Sequence, residues 1–174
     1  MAKLKAVHYI NQFYAGIGGE TMAGIGLSVI EEKKGPAIGL EQLWHGEMEV
    51  VKIIICGDNF INEEENFKSV LPQIKKVIDD VKPDVFIAGP AFNAGRYGVA
   101  CAKVCDYVKN TLGIPSVTGM WHENPAVAMY VKDNYFIATR ETAAGMTKSL
   151  PILAQFALKL ARKEPIGPAR LEGY

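Results

Sequence analysis

The sequence predicts an α/β fold: a three-layer open sheet of about five mostly parallel strands with helices on both faces. Two observations carry this. Short, nearly continuous apolar runs alternate with segments of helical period along the chain. The polar and glycine-rich punctuation follows the apolar runs, which is where connections leave a parallel sheet. A repeated strand–helix–strand pattern winds a parallel sheet in the right-handed, Rossmann-like way.

The strands come first. Leu4–Ile10 is the first apolar run, Val50–Cys56 the second, Asp84–Ala88 the third, Pro115–Met120 the fourth and Asn134–Thr139 the fifth. Such runs suit strands covered on both faces.

The helices follow from the spacing. Phe67, Val70, Leu71, Ile74, Val77, Ile78 and Val81 share one stripe. Asn62 with Glu65 has capping-box spacing, and Glu63 and Glu64 suit the positive end of a helix. Tyr97, Cys101, Val104, Cys105, Val108 and Leu112 form a second stripe that Gly113 stops. Met146, Leu150, Leu153, Ala157 and Leu160 form a third, in which Pro151 predicts a kink or restart. A short helix is expected near Ala37–Trp44. Residues 1–162 then make one domain with a glycine-rich loop at 15–39, and 163–174 read as a tail or a linker to a further C-terminal part.

Composition narrows the function. Lys and Arg number 19, as do Asp and Glu, and no long basic run occurs, so neither nucleic acid nor a membrane surface is an expected partner. The N-terminal apolar run is too short for an export signal, and a cytoplasmic protein is expected. The three cysteines are odd in number and include no Cys-x-x-Cys pair, and the histidines are scattered, so neither a disulfide framework nor a structural zinc site is expected.

A parallel sheet gathers its post-strand residues along one edge. Asn11, Gln12, Gly18, Gly19 and Glu20 follow the first strand. Asp58 and Asn59 follow the second, Asn93 and Arg96 the third, and His122, Glu123 and Asn124 the fourth. These are the candidate substrate-binding residues. Arg96 can hold a carboxylate or phosphate in a bidentate fork, or be a surface arginine. Asn93 can contact a ligand or cap a helix. Glu20 and Asp58 can orient an amine or stay solvated.

His122 is a candidate for substrate contact, whereas His8 and His45 read as structural. Asn124-Pro125 reads as a turn. Gly16–Thr21 is neither a dinucleotide fingerprint, since Thr21 replaces the third glycine, nor a phosphate-binding loop ending in Gly-Lys-Ser/Thr. Cys56 can be a buried strand cysteine or a thiol nucleophile that needs a base or cation beside it. Cys101 and Cys105 lie on an apolar stripe and read as core. No residue is assigned a catalytic role, and none a metal.

Several blocks together resemble one family. Val7-His8-Tyr9-Ile10-Asn11-Gln12-Phe13, then Ala15–Glu20, resembles the start of selenoprotein B, component B of the glycine, sarcosine and betaine reductases. Ile55–Asn59, Ala88–Gly98, Gly113–Met120, Glu123-Asn124-Pro125 and Glu172-Gly173-Tyr174 are similar to further blocks of that family. The resemblance spans essentially the whole chain.

It implies a place in an anaerobic amino-acid fermentation system. A selenocysteine of component B displaces the amine of glycine, sarcosine or betaine. The carboxymethyl group passes to selenoprotein A and ends as acetyl phosphate. Family members are longer and their selenocysteine lies beyond the matched region, so the resemblance implies an N-terminal domain or fragment with no cofactor of its own. The implied partners are a small amino-acid-type substrate, selenoprotein A and the other reductase components; a homo-oligomer stays open. Arg96 is then expected on the substrate carboxylate, supported by Asn93. Tyr14, Phe92, Tyr97 and Trp121 are available to line the amine. A non-catalytic α/β binding module and a cysteine enzyme built on Cys56 are the competing readings.

Overall fold

The structure, a computed structural model, describes residues 2–174. Six strands form one sheet: β1 (Leu4–Asn11), β2 (Ser28–Ile30), β3 (Met48–Cys56), β4 (Val85–Phe92), β5 (Ser116–Met120) and β6 (Tyr135–Ala138). Their order across the sheet is β2-β3-β1-β4-β5-β6. Every neighbouring pair is parallel except β2–β3. The three-layer α/β architecture expected from sequence is present, with one strand more. The extra strand, β2, lies in the glycine-rich region. It has only three residues, and both Ser28 and Val29 are exposed. A strand that short, lying on an edge, leaves no periodic signal.

Helices cover both faces. On one lie α3 (Glu64–Val81) and α4 (Gly95–Asp106), packing Val70, Ile74, Cys101, Val104 and Cys105 against Val7, Tyr9, Ile54 and Phe86. On the other lie α1 (Pro36–Leu43) and α6 (Met146–Ala161), packing Leu40, Leu153, Phe156 and Ala157 against Ala6, Ile10, Ile53 and Ile87. Alternate residues of each strand thus feed opposite cores, so the strands read as unbroken apolar runs. Two short helices, α2 (Asp58–Asn62) and α5 (Pro125–Tyr130), follow β3 and β5. The last, α7 (Ala169–Glu172), is also short.

Several local expectations are corrected. Asn62 does not cap α3. The N-cap is Glu63, without a side-chain bond, and Asn62 ends α2, where its Nδ2 donates to the Arg96 carbonyl at 2.8 Å. α6 runs through Pro151 without a restart. Pro151 is exposed, as is Thr147, whose carbonyl loses its helical partner, so the freed group lies on the solvent side. Pro72 sits in α3 on an exposed position for the same reason. Asn124-Pro125 opens a helix: Asn124 accepts from the Ala126 N–H at 3.1 Å and Pro125 takes the first helical position.

Residues 163–174 pack back on the domain. Ala138 N donates to Gly173 O at 2.9 Å, Lys159 pairs with Glu172, and Tyr174 lies edge-on to Tyr135.

The end of β4 and the start of α4 show why their sequence is unusual. Gly89 has φ +83°, and a Cβ there would lie 2.8 Å from the Ala91 nitrogen. The Gly89–Pro90 bond is cis and the β4–β5 register shifts between Ala88 and Phe92. His8 Nε2–H of β1 donates to the Gly89 carbonyl at 2.7 Å. Gly98, one turn into α4, lies against the Asn124 side chain; a Cβ there would sit 2.4 Å from Asn124 Nδ2.

Candidate functional site

From β1 the chain leaves toward β3 on one side of the sheet, and from β4 it leaves toward β5 on the other. Such a reversal opens a crevice at the carboxyl ends of the two diverging strands. A cavity of about 400 Å³ lies there, and its lining includes Asn11, Gln12, Tyr14, Gly19, Glu20, Asp58, Arg96 and Tyr97.

Register builds the polar floor. Asn11 pairs with Cys56 across β1–β3, so the residues that follow each strand meet. Asn11 Nδ2 donates to Asp58 Oδ2 at 2.9 Å, and the Asp58 N–H donates to Gln12 Oε1 at 3.2 Å. Asn11 Oδ1 accepts from the Tyr14 N–H at 3.1 Å, fixing the turn that places Tyr14 over Tyr97, ring centroids 5.6 Å apart. Burial pushes the Asp58 carboxyl up from its usual range, against the pull of the Asn11 amide, the Arg96 charge and the Gln12 amide.

Arg96 stands at the mouth, in the first turn of α4. One guanidinium nitrogen donates to Asn59 Oδ1 and the other to Glu20 Oε1. The first turn of α4 has no side-chain cap, so its leading N–H groups add positive potential beside the guanidinium. Asn62 holds the Arg96 carbonyl from behind. Sequence gave no sign of that clamp, because it joins residues 34 apart.

The sequence-predicted residues therefore separate. Asn11, Gln12, Gly19, Glu20, Asp58 and Arg96 line one crevice, and Asn59 braces Arg96. Gly18 lies in the adjoining loop, against Met22. The rest lie elsewhere on the edge. Asn93 is exposed and takes the Glu141 carbonyl through its backbone N–H at 3.0 Å. His122 and Glu123 are exposed and face each other at 3.8 Å. Asn124 is buried and structural: besides capping α5, its Nδ2 donates to the carbonyls of Phe92 and Ala94.

Of the aromatic residues named for the amine, Tyr14 and Tyr97 reach the crevice. Phe92 is buried in the core and Trp121 packs at an angle against His122. Cys56 is fully buried, and burial pushes its thiol up to about 12, which removes the thiolate a nucleophile needs. Cys101 and Cys105 are buried in the core, as read from their stripe. Among the described residues no group of three or more His, Cys, Asp or Glu could hold a metal ion, and no helix is long and apolar enough to cross a membrane.

Comparison with known proteins gives this geometry a family. Residues 3–174 match the family described as glycine/sarcosine/betaine reductase selenoprotein B. The chain is 51% identical over 174 residues to the glycine reductase complex component B subunit gamma of Peptoclostridium litorale, all of this chain and 39% of that protein. It is 49% identical to the sarcosine reductase complex component B subunit beta of Peptoclostridium acidaminophilum, again over 39% of its length. With the betaine reductase complex component B subunit beta of the same organism it shares 40% over 170 residues, 98% of this chain and 38% of that one. It thus spans about two fifths of the curated relatives' length. No solved structure matches. From its third residue to its last, the chain belongs to the glycine/sarcosine/betaine reductase selenoprotein B family.

Proposed function

We propose that these residues form the substrate-positioning part of a reductase component B, and that the crevice between β1 and β4 holds the carboxylate of glycine, sarcosine or betaine. One observation carries this. Arg96 is braced by Asn59, faces the crevice, and already holds a carboxylate there, that of Glu20 from the glycine-rich loop. A free carboxylate can take the guanidinium nitrogen that Glu20 holds, and Glu20, whose side chain is 69% exposed, moves to solvent at little cost. The names of the relatives supply the substrate class.

The chemistry needs a second part. No cysteine here is placed to attack, so the selenocysteine comes from a part of the subunit outside these residues. It displaces the amine, the carboxymethyl group passes to selenoprotein A, and component C releases it with phosphate as acetyl phosphate, the two electrons coming from a thioredoxin-like dithiol. The chain acts on its partners' behalf: it binds and orients.

Calorimetric titration of glycine, sarcosine and betaine tests this, in the 174-residue chain and in a subunit of the relatives' full length. At least one binds, and Arg96→Gln weakens it tenfold or more. No binding of any of the three in either protein refutes the reading. Binding that Arg96→Gln leaves unchanged refutes the arginine's role.

A further inference from the structure

The crevice has a second pole. Asp58 is 8% exposed, and its Oδ2 is committed to Asn11, but its Oδ1 is buried with no hydrogen-bond partner. An ionised carboxylate oxygen can only accept, so whatever satisfies it must donate. The Tyr97 hydroxyl, on the same wall, is likewise buried and unpartnered, and so is the hydroxyl of Tyr9. Arg96 does not supply the missing donor, because its guanidinium is held by Asn59 and Glu20. An unmet buried polar group costs about 1–3 kcal/mol. Each such group calls for a partner, and two of them belong to residues, Asp58 and Tyr97, that line the same cavity.

Charge points to the same ligand. The lining carries two carboxylates, Asp58 and Glu20, and one cation, Arg96. A ligand bringing only a carboxylate would displace Glu20 and leave Asp58 uncompensated. A zwitterion answers both poles: its carboxylate takes the arginine and its ammonium takes Asp58. The tilted rings of Tyr14 and Tyr97 line the space beside that carboxylate and suit a cation.

We propose that Asp58, with the Tyr97 hydroxyl and the Tyr14 ring beside it, is an ammonium subsite that favours an amine bearing N–H groups over a quaternary one. This rests on the carboxylate site proposed at Arg96 and adds its partner. A primary ammonium brings three donors, N-methylation removes one, and a quaternary nitrogen brings none. With no N–H to give, the quaternary ligand keeps the charge attraction and leaves Asp58 Oδ1 unpaired. The site therefore ranks glycine first, sarcosine second and betaine last.

Chemical-shift titrations of the 174-residue chain with glycine, betaine, acetate and methylammonium test it. Glycine binds at least tenfold more tightly than betaine. Asp58→Asn, which keeps shape and removes charge, weakens glycine and methylammonium at least tenfold and leaves acetate within twofold. Arg96→Gln weakens acetate and leaves methylammonium within twofold. If Asp58→Asn leaves glycine within twofold while Arg96→Gln abolishes it, the ammonium subsite is wrong and the carboxylate site stands. If neither glycine nor acetate binds, the carboxylate site fails as well. Should the variant not fold, the carboxyl carbon resonance of Asp58 in the unaltered chain decides. Saturating glycine moves its titration to lower pH, and an unmoved midpoint overturns the proposal.

Discussion

The carboxyl edge of the sheet has two halves with similar residues and opposite fates. Around β1 and β4, Asn11, Gln12, Asp58, Asn59, Glu20 and Arg96 interlock around a cavity. Around β5 and β6, His122 and Glu123 face solvent, Asn93 lies against Glu141, and Asn124 is absorbed by backbone groups. Composition does not distinguish them, since both halves carry amides, acids and a basic side chain. Topology does. Only between β1 and β4 do the outgoing connections diverge to opposite sides and leave room for a ligand. The same side-chain chemistry becomes a site at the reversal and solvated edge beyond it.

If the reversal is held by specific contacts, breaking one should matter more than anything done at the other half. His8 ties β1 to β4 there through Gly89. It is fully buried, and desolvation lowers its pKa from 6.5 to about 4, so the neutral ring is the folded form. The sign follows. Between pH 6.5 and about 4 the unfolded chain binds a proton that the folded chain does not, so stability falls as pH falls through that window. The full loss is ~3 kcal/mol. Urea unfolding of the unaltered chain and of His8→Gln at pH 7 and pH 4 measures it. The stability difference between them changes by about that amount. An equal acid response in both would show that His8 is not the group responsible.

The next effect separates neighbours on the quiet half. Asn124→Ala removes a helix cap worth about 1 kcal/mol and the side-chain bonds to the carbonyls of Phe92 and Ala94, which keep the N–H groups of Trp121 and Gly98, for a total near 2 kcal/mol. His122→Ala, two residues away and exposed, stays within about 0.5 kcal/mol. Equal losses by thermal unfolding would mean that the Asn124 bonds carry no weight.

What was legible in the sequence divides along the same line. All five predicted strands appear, because each buries both faces and shows it as a continuous apolar run. The stripes of α3, α4 and α6 were visible for the same reason. Short elements were not: β2 buries almost nothing, and α2 and α5 are too brief for a period to show. The site was legible as an edge and not as a place. Listing residues after each strand collected those of the crevice along with His122, Glu123 and Asn93. Spacing says which edge a residue reaches, but strand order chooses among them, and strand order is set by long-range pairing. The Asn62 clamp and the Glu20–Arg96 pair depend on contacts 34 and 76 residues apart. No local pattern encodes them.

The smallest effect tests where the two halves join, at the start of α4. Gly95 and Gly98 stand one turn apart in the same motif, yet their surroundings differ. A Cβ on Gly95 would come no nearer than 3.8 Å, to Pro125, whereas one on Gly98 meets Asn124 Nδ2 at 2.4 Å and Oδ1 at 2.5 Å. Alanine in a helix gains up to about 1 kcal/mol over glycine. At Gly95 nothing opposes that gain, and Gly95→Ala leaves the thermal midpoint unchanged or slightly raised. At Gly98 overpacking of about 1–3 kcal/mol opposes it, for a net loss near 1 kcal/mol. The loss belongs to the Asn124 side chain and can be removed with it. In the double variant Gly98→Ala/Asn124→Ala the methyl group has room, so the alanine at 98 becomes neutral or favourable and the two losses fail to add. Additive losses would place the strain in the α4 backbone instead, and would uncouple the crevice wall from the cap of α5.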